Sequence, residues 1–520
     1  MYSESVGSRK SLGDVDVFFH EGIYHLFHLV LPNHDFVAHA VSDNCLVWRR
    51  VENAIHLGNP GSFDDSMLWT THISKHPFRE GWFRMFYTGL SRSDQGIKQR
   101  IGMAESKDLY RWRKAPVNWV DRQSELPYVL PGRPPQPPFD FDADSPFPLV
   151  AGEEHYESEP DEGRHLVSWR DPYYYREGDK GWLLTAGRVR TGPIVRRGCV
   201  AVTEEVSENC FESRPALHHP GLYDDVEVPN VLKECGEYYL LGSIREDAKV
   251  RYWHTKGIDE PWRSYSDNVL LPAGNYAGRL CQDDKGWLLF SFFTPSDSVD
   301  RTKHNFMPPP KRLIRTDDGH LEVRTFEGIQ SPLAADANLD HVQPLKAGSD
   351  GICRFLADGK LDLTNESGFQ IFAFEDDVDC FQWESNLEMR SDGKCGLVFR
   401  LDRETHDGYY LSLDLFKGVA QARAWGTGAA GSGEHMMQFR AIQSGYWQVT
   451  TPSRAKFRLI AYGSYIELTV SNRVVLSFAD HQFTHGAVGY GVESGEAFAT
   501  NLRLRRLLSP VQSDDHLANG

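Results

Sequence analysis

Three acidic residues lie in strand-like segments, each at a similar distance before a glycine. They are Asp14, Asp171 and Glu227, which precede the glycines at positions 22, 181 and 236 by eight, ten and nine residues. Converging carboxylates without a metal-ligand motif are typical of glycoside hydrolysis, in which a carboxylic acid protonates the leaving oxygen while a carboxylate attacks the anomeric carbon or activates water. A third carboxylate can orient the substrate. Glu227 lies between valines and close to other acids, which raises the pKa of a carboxyl, so we predict it as the general acid.

Each of these acids also has a structural interpretation. Asp14 could be a turn residue after Gly13, and Asp16 is a rival on the same strand because period-two alternation lets both side chains point to one face. Asp171 precedes a proline, which is a common turn context. Glu227 could be one charge of a solvated acidic run. The choice between Asp14 and Asp16 rests on spacing and stays open at this point.

A repeated hairpin accounts for the placement of the acids. A glycine followed by an aromatic-rich apolar strand recurs in the segments 21–28, 80–89, 180–187, 235–242 and 285–291. Each segment is predicted to be the far side of a β-hairpin whose turn glycine supplies a positive φ. The glycines are separated by 59, 100, 55 and 50 residues, close to the repeat length of four-stranded propeller blades. We therefore predict a five-bladed β-propeller whose innermost strands converge on one channel; the alternative is a β-sandwich with accidental similarity.

Two further patterns support this organisation. Segments 40–48 and 104–112 share the pattern Ala-x-Ser-x-[Asn/Asp]-x-x-x-Trp, which indicates a strand, a turn and an aromatic anchor. The longest interval contains a proline-rich run at 131–138 and an acidic run at 153–162, which are unsuited to a packed strand. We predict a long surface loop over 127–163.

The rhythm changes after about residue 325. Segments 396–402, 409–415 and 465–470 alternate apolar and polar residues, as strands with one buried and one wet face do. The predicted fold class is all-β: a five-bladed β-propeller over 1–325 followed by an antiparallel β-sandwich over 326–510, with a flexible tail over 511–520.

Composition narrows the classes of partner. The formal net charge of −17 repels nucleic acid and anionic membrane surfaces, whereas a neutral oligosaccharide or polysaccharide is not repelled. No apolar stretch approaches the roughly 18 residues that span a bilayer, and residues 1–10 lack the apolar segment of a signal peptide, so we expect a cytoplasmic protein, or a secreted one if a leader has been removed. We expect a monomer or homodimer.

The same composition gives no indication of a cofactor or metal. The eight cysteines are scattered without a Cys-x-x-Cys pair, so we expect mostly free, buried thiols. Four histidines in strand-like segments are expected to be core or channel-lining residues; they are His25, His28, His39 and His72.

At this point the chain resembles glycoside hydrolase family 32, the invertases, levanases and inulinases, within the larger group of five-bladed furanosidases that includes family 43. Trp169-Arg-Asp-Pro172 resembles the family's Arg-Asp-Pro motif, Glu227-Val-Pro229 its Glu-Cys-Pro motif, and segment 13–27 its nucleophile strand. The resemblance extends over nearly the whole chain, since segments 463–470 and 486–492 resemble the family's C-terminal sandwich. Two features depart from the family: the Trp-Met-Asn-Asp-Pro-Asn-Gly signature is absent, and Val228 stands where the motif has cysteine.

The resemblance implies a retaining mechanism. Asp14 would attack the anomeric carbon, Glu227 would act as acid and base, and Asp171 would stabilise the transition state and bind sugar hydroxyls. It also implies substrate-binding roles for a further set: Arg170, Asp16, Phe63, Asp64, Trp69 and Arg279. The implied activity is that of a β-fructofuranosidase on sucrose, fructo-oligosaccharides or fructans. The alternatives are an inverting arabinofuranosidase-like enzyme, in which Asp14 activates water, and a non-catalytic sugar-binding propeller.

Overall fold

The computed structural model describes residues 2, 11–115, 147–293, 305–345, 351–357, 359–427 and 437–510. Within these residues the chain is all-β, with five separate antiparallel sheets followed by one large antiparallel sheet. The first strands of the five sheets are neighbours in a closed ring, which is the arrangement of a five-bladed β-propeller. The predicted fold class is confirmed.

The five blades follow one another along the chain, and each begins with its innermost strand. Blade 1 contains β1 Ser11–His20, β2 Ile23–Leu31, β3 Phe36–Ser42, β4 Arg49–Arg50 and β5 Ile55–His56. Blade 2 contains β6 Met67–Lys75, β7 Phe83–Leu90, β8 Gln99–Ser106 and β9 Arg113–Ala115. Blade 3 contains β10 Arg170–Glu177, β11 Lys180–Arg188, β12 Gly198–Ser207 and β13 Cys210–His218. Blade 4 contains β14 Glu227–Glu234, β15 Glu237–Ile244, β16 Lys249–Thr255 and β17 Val269–Leu271. Blade 5 contains β18 Asn275–Asp283, β19 Gly286–Phe293, β20 Lys311–Arg315 and β21 Leu321–Thr325.

The C-terminal sheet is nearly barrel-like and encloses the largest apolar core of the described residues. Its strands are β22 Leu333–Asp336, β23 Val342–Pro344, β24 Ile352–Phe355, β25 Leu361–Val378, β26 Phe381–Met389, β27 Lys394–Leu401, β28 Gly408–Asp414, β29 Val419–Thr427, β30 Met437–Tyr446, β31 Arg454–Tyr462, β32 Tyr465–Val470, β33 Arg473–Ala479 and β34 Gly486–Leu507. The first half of β34 pairs with β27 and the second half with β26, so this strand joins the two layers of the sandwich. The predicted tail over 511–520 lies outside the described residues, and the exact division of the chain at residue 325 stays a prediction.

The predicted hairpin glycines are correct in four blades and wrong in one. Gly22, Gly81, Gly236 and Gly286 all have φ between +73° and +119° at their turns. In blade 3 the positive φ belongs to Gly178, whereas Gly181 lies inside β11 opposite Arg176. A Cβ on Gly181 would approach the Tyr174 hydroxyl to 2.2 Å. A close contact, not a turn, therefore requires this glycine.

The second repeat forms the same turn twice. The Ser42 hydroxyl accepts a 2.9 Å hydrogen bond from the Cys45 amide, and the Trp48 indole donates to the Cys45 carbonyl at 3.2 Å. The second copy makes the same two bonds, both of 2.9 Å, at Ser106, Leu109 and Trp112. The shared sequence pattern therefore reflects an equivalent strand connection in blades 1 and 2.

The long insertion is only partly a surface loop. Residues 116–146, with the proline-rich run, lie outside the described residues. Of the acidic part, Glu153 and Glu154 are exposed, but Tyr156 is buried and donates a 2.6 Å hydrogen bond to the Arg214 carbonyl. The surface-loop prediction is therefore wrong for the segment around Tyr156, which packs on blade 3.

All eight cysteines are free thiols, five of them buried, as predicted. Within the described residues no helix is long and apolar enough to cross a membrane. The same residues contain no group of three or more histidine, cysteine, aspartate or glutamate side chains that could hold a metal ion.

Candidate active site

Every innermost strand carries a β-bulge near its start. The ladder register shifts between Leu12 and Val15 in β1, between Trp69 and Thr71 in β6, between Arg170 and Tyr173 in β10, between Glu227 and Asn230 in β14, and between Tyr276 and Arg279 in β18. A bulge interrupts strict in-out alternation and re-aims side chains, and such bulges are enriched next to active sites. Five bulges around one ring therefore direct side chains into a common region.

The three predicted carboxylates occupy successive positions relative to this bulge. Glu227 is the last paired residue before it, Asp171 is the first bulged residue, and Asp14 is the second. Asp171 has φ +60° and Val228, its register equivalent in blade 4, has φ +51°. Backbone strain of this kind clusters at functional sites.

Asp14 is half-buried and lies beside blade 2. The Thr70 hydroxyl donates a short hydrogen bond to its Oδ2. Burial, followed by the charge of Asp171, raises the pKa of Asp14 from 3.8 to about 6, against the opposing effects of Thr70, Arg279 and Arg170. Asp14 is therefore ionised at neutral pH but is more basic than an ordinary aspartate.

Asp171 is buried and links three blades. Its amide donates to the Thr88 hydroxyl at 3.2 Å, and its Oδ2 accepts a 3.1 Å hydrogen bond from the Val228 amide. The same oxygen lies 3.6 Å from Arg170 Nε. These contacts hold the Asp171 side chain in place, and its charge raises the pKa of both Asp14 and Glu227.

Glu227 is buried and accepts a 2.6 Å hydrogen bond from Arg170 Nη2 on its Oε1. Burial raises the pKa of Glu227 from 4.5 to about 7, with Asp171 and Asp225 acting in the same direction and Arg170 opposing them. A carboxyl that keeps its proton near neutral pH has the property required of a general acid.

Arg170 is the hub of the cluster, and its surroundings include residues that the sequence analysis missed. Asp225 Oδ2 lies 3.2 Å from Arg170 Nη2, and Gln99 Oε1 accepts from the Trp169 amide at 3.0 Å. Alternation along the segment before β14 could have identified Asp225, because it lies two residues before Glu227. No sequence signal marks Gln99 or Thr70.

Two predicted substrate-binding residues of blade 2 lie in the interior. Phe63 is buried and stacks on Tyr87 with ring centroids 6.1 Å apart. Asp64 is fully buried, pairs with Lys114 Nζ at 2.6 Å and accepts a 3.0 Å hydrogen bond from the Tyr87 hydroxyl. These contacts hold the connection between blades 1 and 2, and contact of either residue with substrate stays a prediction.

Asp16 and Arg279 are also buried, beside the cluster. Asp16 Oδ2 accepts a 2.8 Å hydrogen bond from the Ile73 amide. The fully buried Arg279 guanidinium donates to the carbonyls of Thr71, Pro172 and Pro229, and so joins the innermost strands of four blades. Both residues therefore connect innermost strands of different blades through hydrogen bonds. Their role in substrate binding stays a prediction.

Trp69 differs from the other predicted binding residues because it is only half-buried. It is the last paired residue before the β6 bulge, which is the register position that Glu227 occupies in β14. Its indole N–H is buried without a hydrogen-bond partner. The register therefore gives Trp69 the same place on its strand as Glu227 has on β14, and contact of Trp69 with substrate stays a prediction.

Comparisons with known proteins point to the same architecture. Residues 14–167 match the model of the glycosyl hydrolases family 32 N-terminal domain. No curated protein matches the chain. The family match confirms the resemblance to family 32 over residues 14–167, and solved structures share the fold over almost the whole chain.

Three of these structures cover almost the whole chain. Sucrose-6-phosphate hydrolase from Lactobacillus gasseri has 14% identity and a TM-score of 0.66 over 96% of this chain and 91% of its own. Fructan 1-exohydrolase IIa from Cichorium intybus has 12% identity and a TM-score of 0.65 over 98% and 97%. Exo-inulinase from Aspergillus awamori has 12% identity and a TM-score of 0.66 over 98% of each chain. At these identities the likeness concerns the fold.

Proposed function

We propose that this chain, whose N-terminal part matches glycoside hydrolase family 32, is a retaining glycosidase that releases fructose from terminal β-fructofuranosides. The observation that carries the proposal is the convergence of Asp14, Asp171 and Glu227 around Arg170 at the bulges of three blades. Their protonation states differ as the chemistry requires, because Glu227 holds its proton to a higher pH than Asp14 does. Two carboxyls of unlike pKa are the pattern of an acid paired with a nucleophile.

In the first step, Glu227 donates its proton to the glycosidic oxygen while an Asp14 oxygen attacks the anomeric carbon. The carbon–oxygen bond to the leaving group breaks, and a fructosyl–Asp14 ester forms. The Thr70 hydroxyl bonded to Asp14 Oδ2 holds the carboxylate in one orientation. Because Asp14 is the least buried of the three acids, its carboxylate is the one best placed to meet a substrate from solvent.

In the second step, the ionised Glu227 takes a proton from water, and the water oxygen displaces Asp14 from the anomeric carbon. Arg170 stabilises the Glu227 carboxylate in this state through its 2.6 Å hydrogen bond. Asp171, fixed by the Val228 amide, would accept hydrogen bonds from sugar hydroxyls that strengthen in the transition state. Trp69 would contribute the apolar wall of the sugar site.

Fructose-containing substrates are proposed because several structural relatives bear names of fructose-releasing enzymes. Those include the fructan 1-exohydrolase IIa and the exo-inulinase described above. A fructofuranosidase from Schwanniomyces occidentalis has been solved with fructose bound and shares 9% identity over 97% of this chain, with a TM-score of 0.61. We therefore rank sucrose, short fructans and long fructans as the first substrates to test.

The test is product identification by chromatography after incubation with sucrose, short and long fructans, and aryl arabinofuranosides. Purified protein is compared with Glu227→Gln, which cannot donate the proton and is expected to lose about 10²- to 10⁴-fold in rate. Glu234→Gln is the matched control, since Glu234 lies at the far end of the same strand β14, and it should retain full activity.

Each outcome has a definite meaning. Fructose release that disappears only in Glu227→Gln supports the proposal. Release of arabinose instead would change the proposed substrate to an arabinofuranoside but would leave Glu227 as the proposed general acid. Release of no sugar from any substrate by a folded protein would contradict the proposal and favour a sugar-binding role.

A further inference from the structure

Asp225 lies in the centre of the cluster, although the mechanism above assigns it no role. It is buried, and its Oδ1 accepts a 2.9 Å hydrogen bond from the Ser168 hydroxyl. Its Oδ2 lies 3.2 Å from Arg170 Nη2, the same nitrogen that donates to Glu227 at 2.6 Å. Asp225 and Glu227 therefore share one guanidinium nitrogen of Arg170, and with it the charge of one cation.

Asp225 also has a cation of its own. Arg188 Nη2, from β11, lies 2.7 Å from Asp225 Oδ2 and 3.0 Å from Asp224 Oδ2. Burial alone would raise the pKa of Asp225, but Arg170, Arg188 and the Ser168 hydroxyl hold it below its usual value. Asp225 therefore stays ionised over the whole range in which a glycosidase would work.

We propose that Asp225 is a positioning residue that sets the proton affinity of Glu227, by drawing Arg170 away from it and by placing a fixed negative charge beside it. This inference rests on the proposed function in so far as the proton of Glu227 is the catalytic one. Both effects of Asp225 act in one direction, since a shared arginine and a nearby like charge each disfavour ionised Glu227. Burial, Asp171 and Asp225 raise the pKa of Glu227 to about 7, against Arg170.

The charged groups that act most strongly on Glu227 come from two segments of the described residues. Arg170 and Asp171 come from β10, and Asp225 from the segment before β14. Arg188 acts on Glu227 through Asp225, and Asp14 acts through Asp171. Removal of Asp225 and removal of Arg188 should therefore move the titration of Glu227 in opposite directions, which a general loss of structure would not do.

The experiment is an infrared titration of the protonated carboxyl band of Glu227, assigned by its loss in Glu227→Gln. In Asp225→Asn, which keeps the size of the side chain and one acceptor oxygen for the Ser168 hydroxyl, the midpoint should fall by about one pH unit, because a like charge is lost and Arg170 turns fully to Glu227. In Arg188→Gln it should rise by a similar amount, since Asp225 then loses its own cation and draws more on Arg170.

Asp224→Asn is the matched control. Asp224 pairs with Arg188 and with Arg164 at 2.7 Å, and it has no contact with Arg170 among the described residues. Its replacement should move the Glu227 midpoint far less than Asp225→Asn does. If Asp225→Asn fails to fold, the rise in Arg188→Gln still tests the proposal. An unchanged midpoint in a folded Asp225→Asn protein, or shifts of the same sign in both variants, would overturn it.

The titration needs no substrate, so it separates this inference from the proposed function. If the protein releases no sugar but the midpoints move as expected, the function fails and the inference stands. Where fructose is released, the alkaline midpoint of the kcat/KM profile should shift by the same amount as the titration of Glu227. At one pH unit above the wild-type midpoint, the activity of Asp225→Asn should therefore be about tenfold below that of wild type. A uniform loss at every pH would indicate a merely structural role and contradict the proposal.

Discussion

Two buried arginines of the propeller, Arg84 and Arg170, meet different numbers of carboxylates. Arg84 lies in β7 and makes a two-pronged pair with Glu205 of blade 3, with distances of 2.7 and 3.0 Å and both side chains fully buried. Arg170 lies in β10 and is shared by Asp171, Asp225 and Glu227 at distances between 2.6 and 3.6 Å. The first group is balanced in charge, whereas the second has an excess of negative charge.

The balance decides what each glutamate does. Burial alone would raise the pKa of Glu205, but Arg84, the Tyr174 hydroxyl and the Asn209 amide hold it below its usual value, so it is a permanent anion that joins blades 2 and 3. Burial and two neighbouring carboxylates instead raise the pKa of Glu227 to about 7, although it has an equally short bond to an arginine. An arginine–glutamate contact therefore holds the glutamate as a permanent anion or leaves its pKa raised, according to how many other anions share the cation.

The balanced pair should be the more costly one to break. Arg84→Met leaves Glu205 as an unpaired charge in the interior, and we expect a loss of about 3–5 kcal/mol in the free energy of unfolding. Chemical denaturation at pH 7 measures this. The double variant Arg84→Met/Glu205→Leu removes both charges and should recover most of the loss. Equal destabilisation of the single and double variants would show that packing, not charge balance, holds this site.

In the cluster around Arg170, removal of the Glu227 charge should increase the free energy of unfolding at high pH. Because the pKa of Glu227 is raised from 4.5 to about 7, the folded chain binds this proton more tightly than the unfolded chain does. Its contribution therefore favours folding below about pH 4.5 and is lost as the pH rises to about 7. Glu227→Gln removes this unfavourable ionisation of a buried carboxyl and should stabilise the protein by about 3 kcal/mol at pH 8.

The gain from Glu227→Gln should shrink towards zero as the pH falls below about 4, since the wild-type carboxyl is then protonated in both the folded and the unfolded state. Denaturation midpoints of wild type and Glu227→Gln at the two pH values measure the difference. Glu205→Gln is the matched comparison and should destabilise at pH 8. Destabilisation by Glu227→Gln at pH 8 would show that ionised Glu227 stabilises the fold as Glu205 does, and would contradict the proposed difference between the two glutamates.

The sequence predicted the blades because their signals are local. Turn glycines and aromatic strands repeat at blade length, and four of the five predicted turn glycines have the required positive φ. The exception, Gly181, shows the limit of such signals, since it is required by the side chain of Tyr174 on the paired strand β10 and not by a turn. The sequence alone does not distinguish a glycine required by a side-chain contact from one required by a turn.

The site was predicted in part for the same reason. Asp14, Asp171 and Glu227 could be found because each lies on an innermost strand near its bulge. Thr70 and Gln99 act through contacts between blades, which no spacing within one strand encodes. Asp225 lies two residues before Glu227, so alternation could have identified it. The family resemblance implied substrate-binding roles for Phe63 and Asp64, but the structure buries both against Tyr87.

The central claim is that one crowded arginine leaves Glu227 protonated beside an ionised Asp14, and the pH dependence of kcat/KM for fructose release tests it most directly. With the pKa of Asp14 raised to about 6 and that of Glu227 to about 7, activity should be greatest between about pH 6 and 7. It should fall about tenfold per pH unit on either side, as Asp14 becomes protonated or Glu227 loses its proton. Activity that stays high up to pH 9 would show that Glu227 is not held protonated by this cluster and would contradict the account.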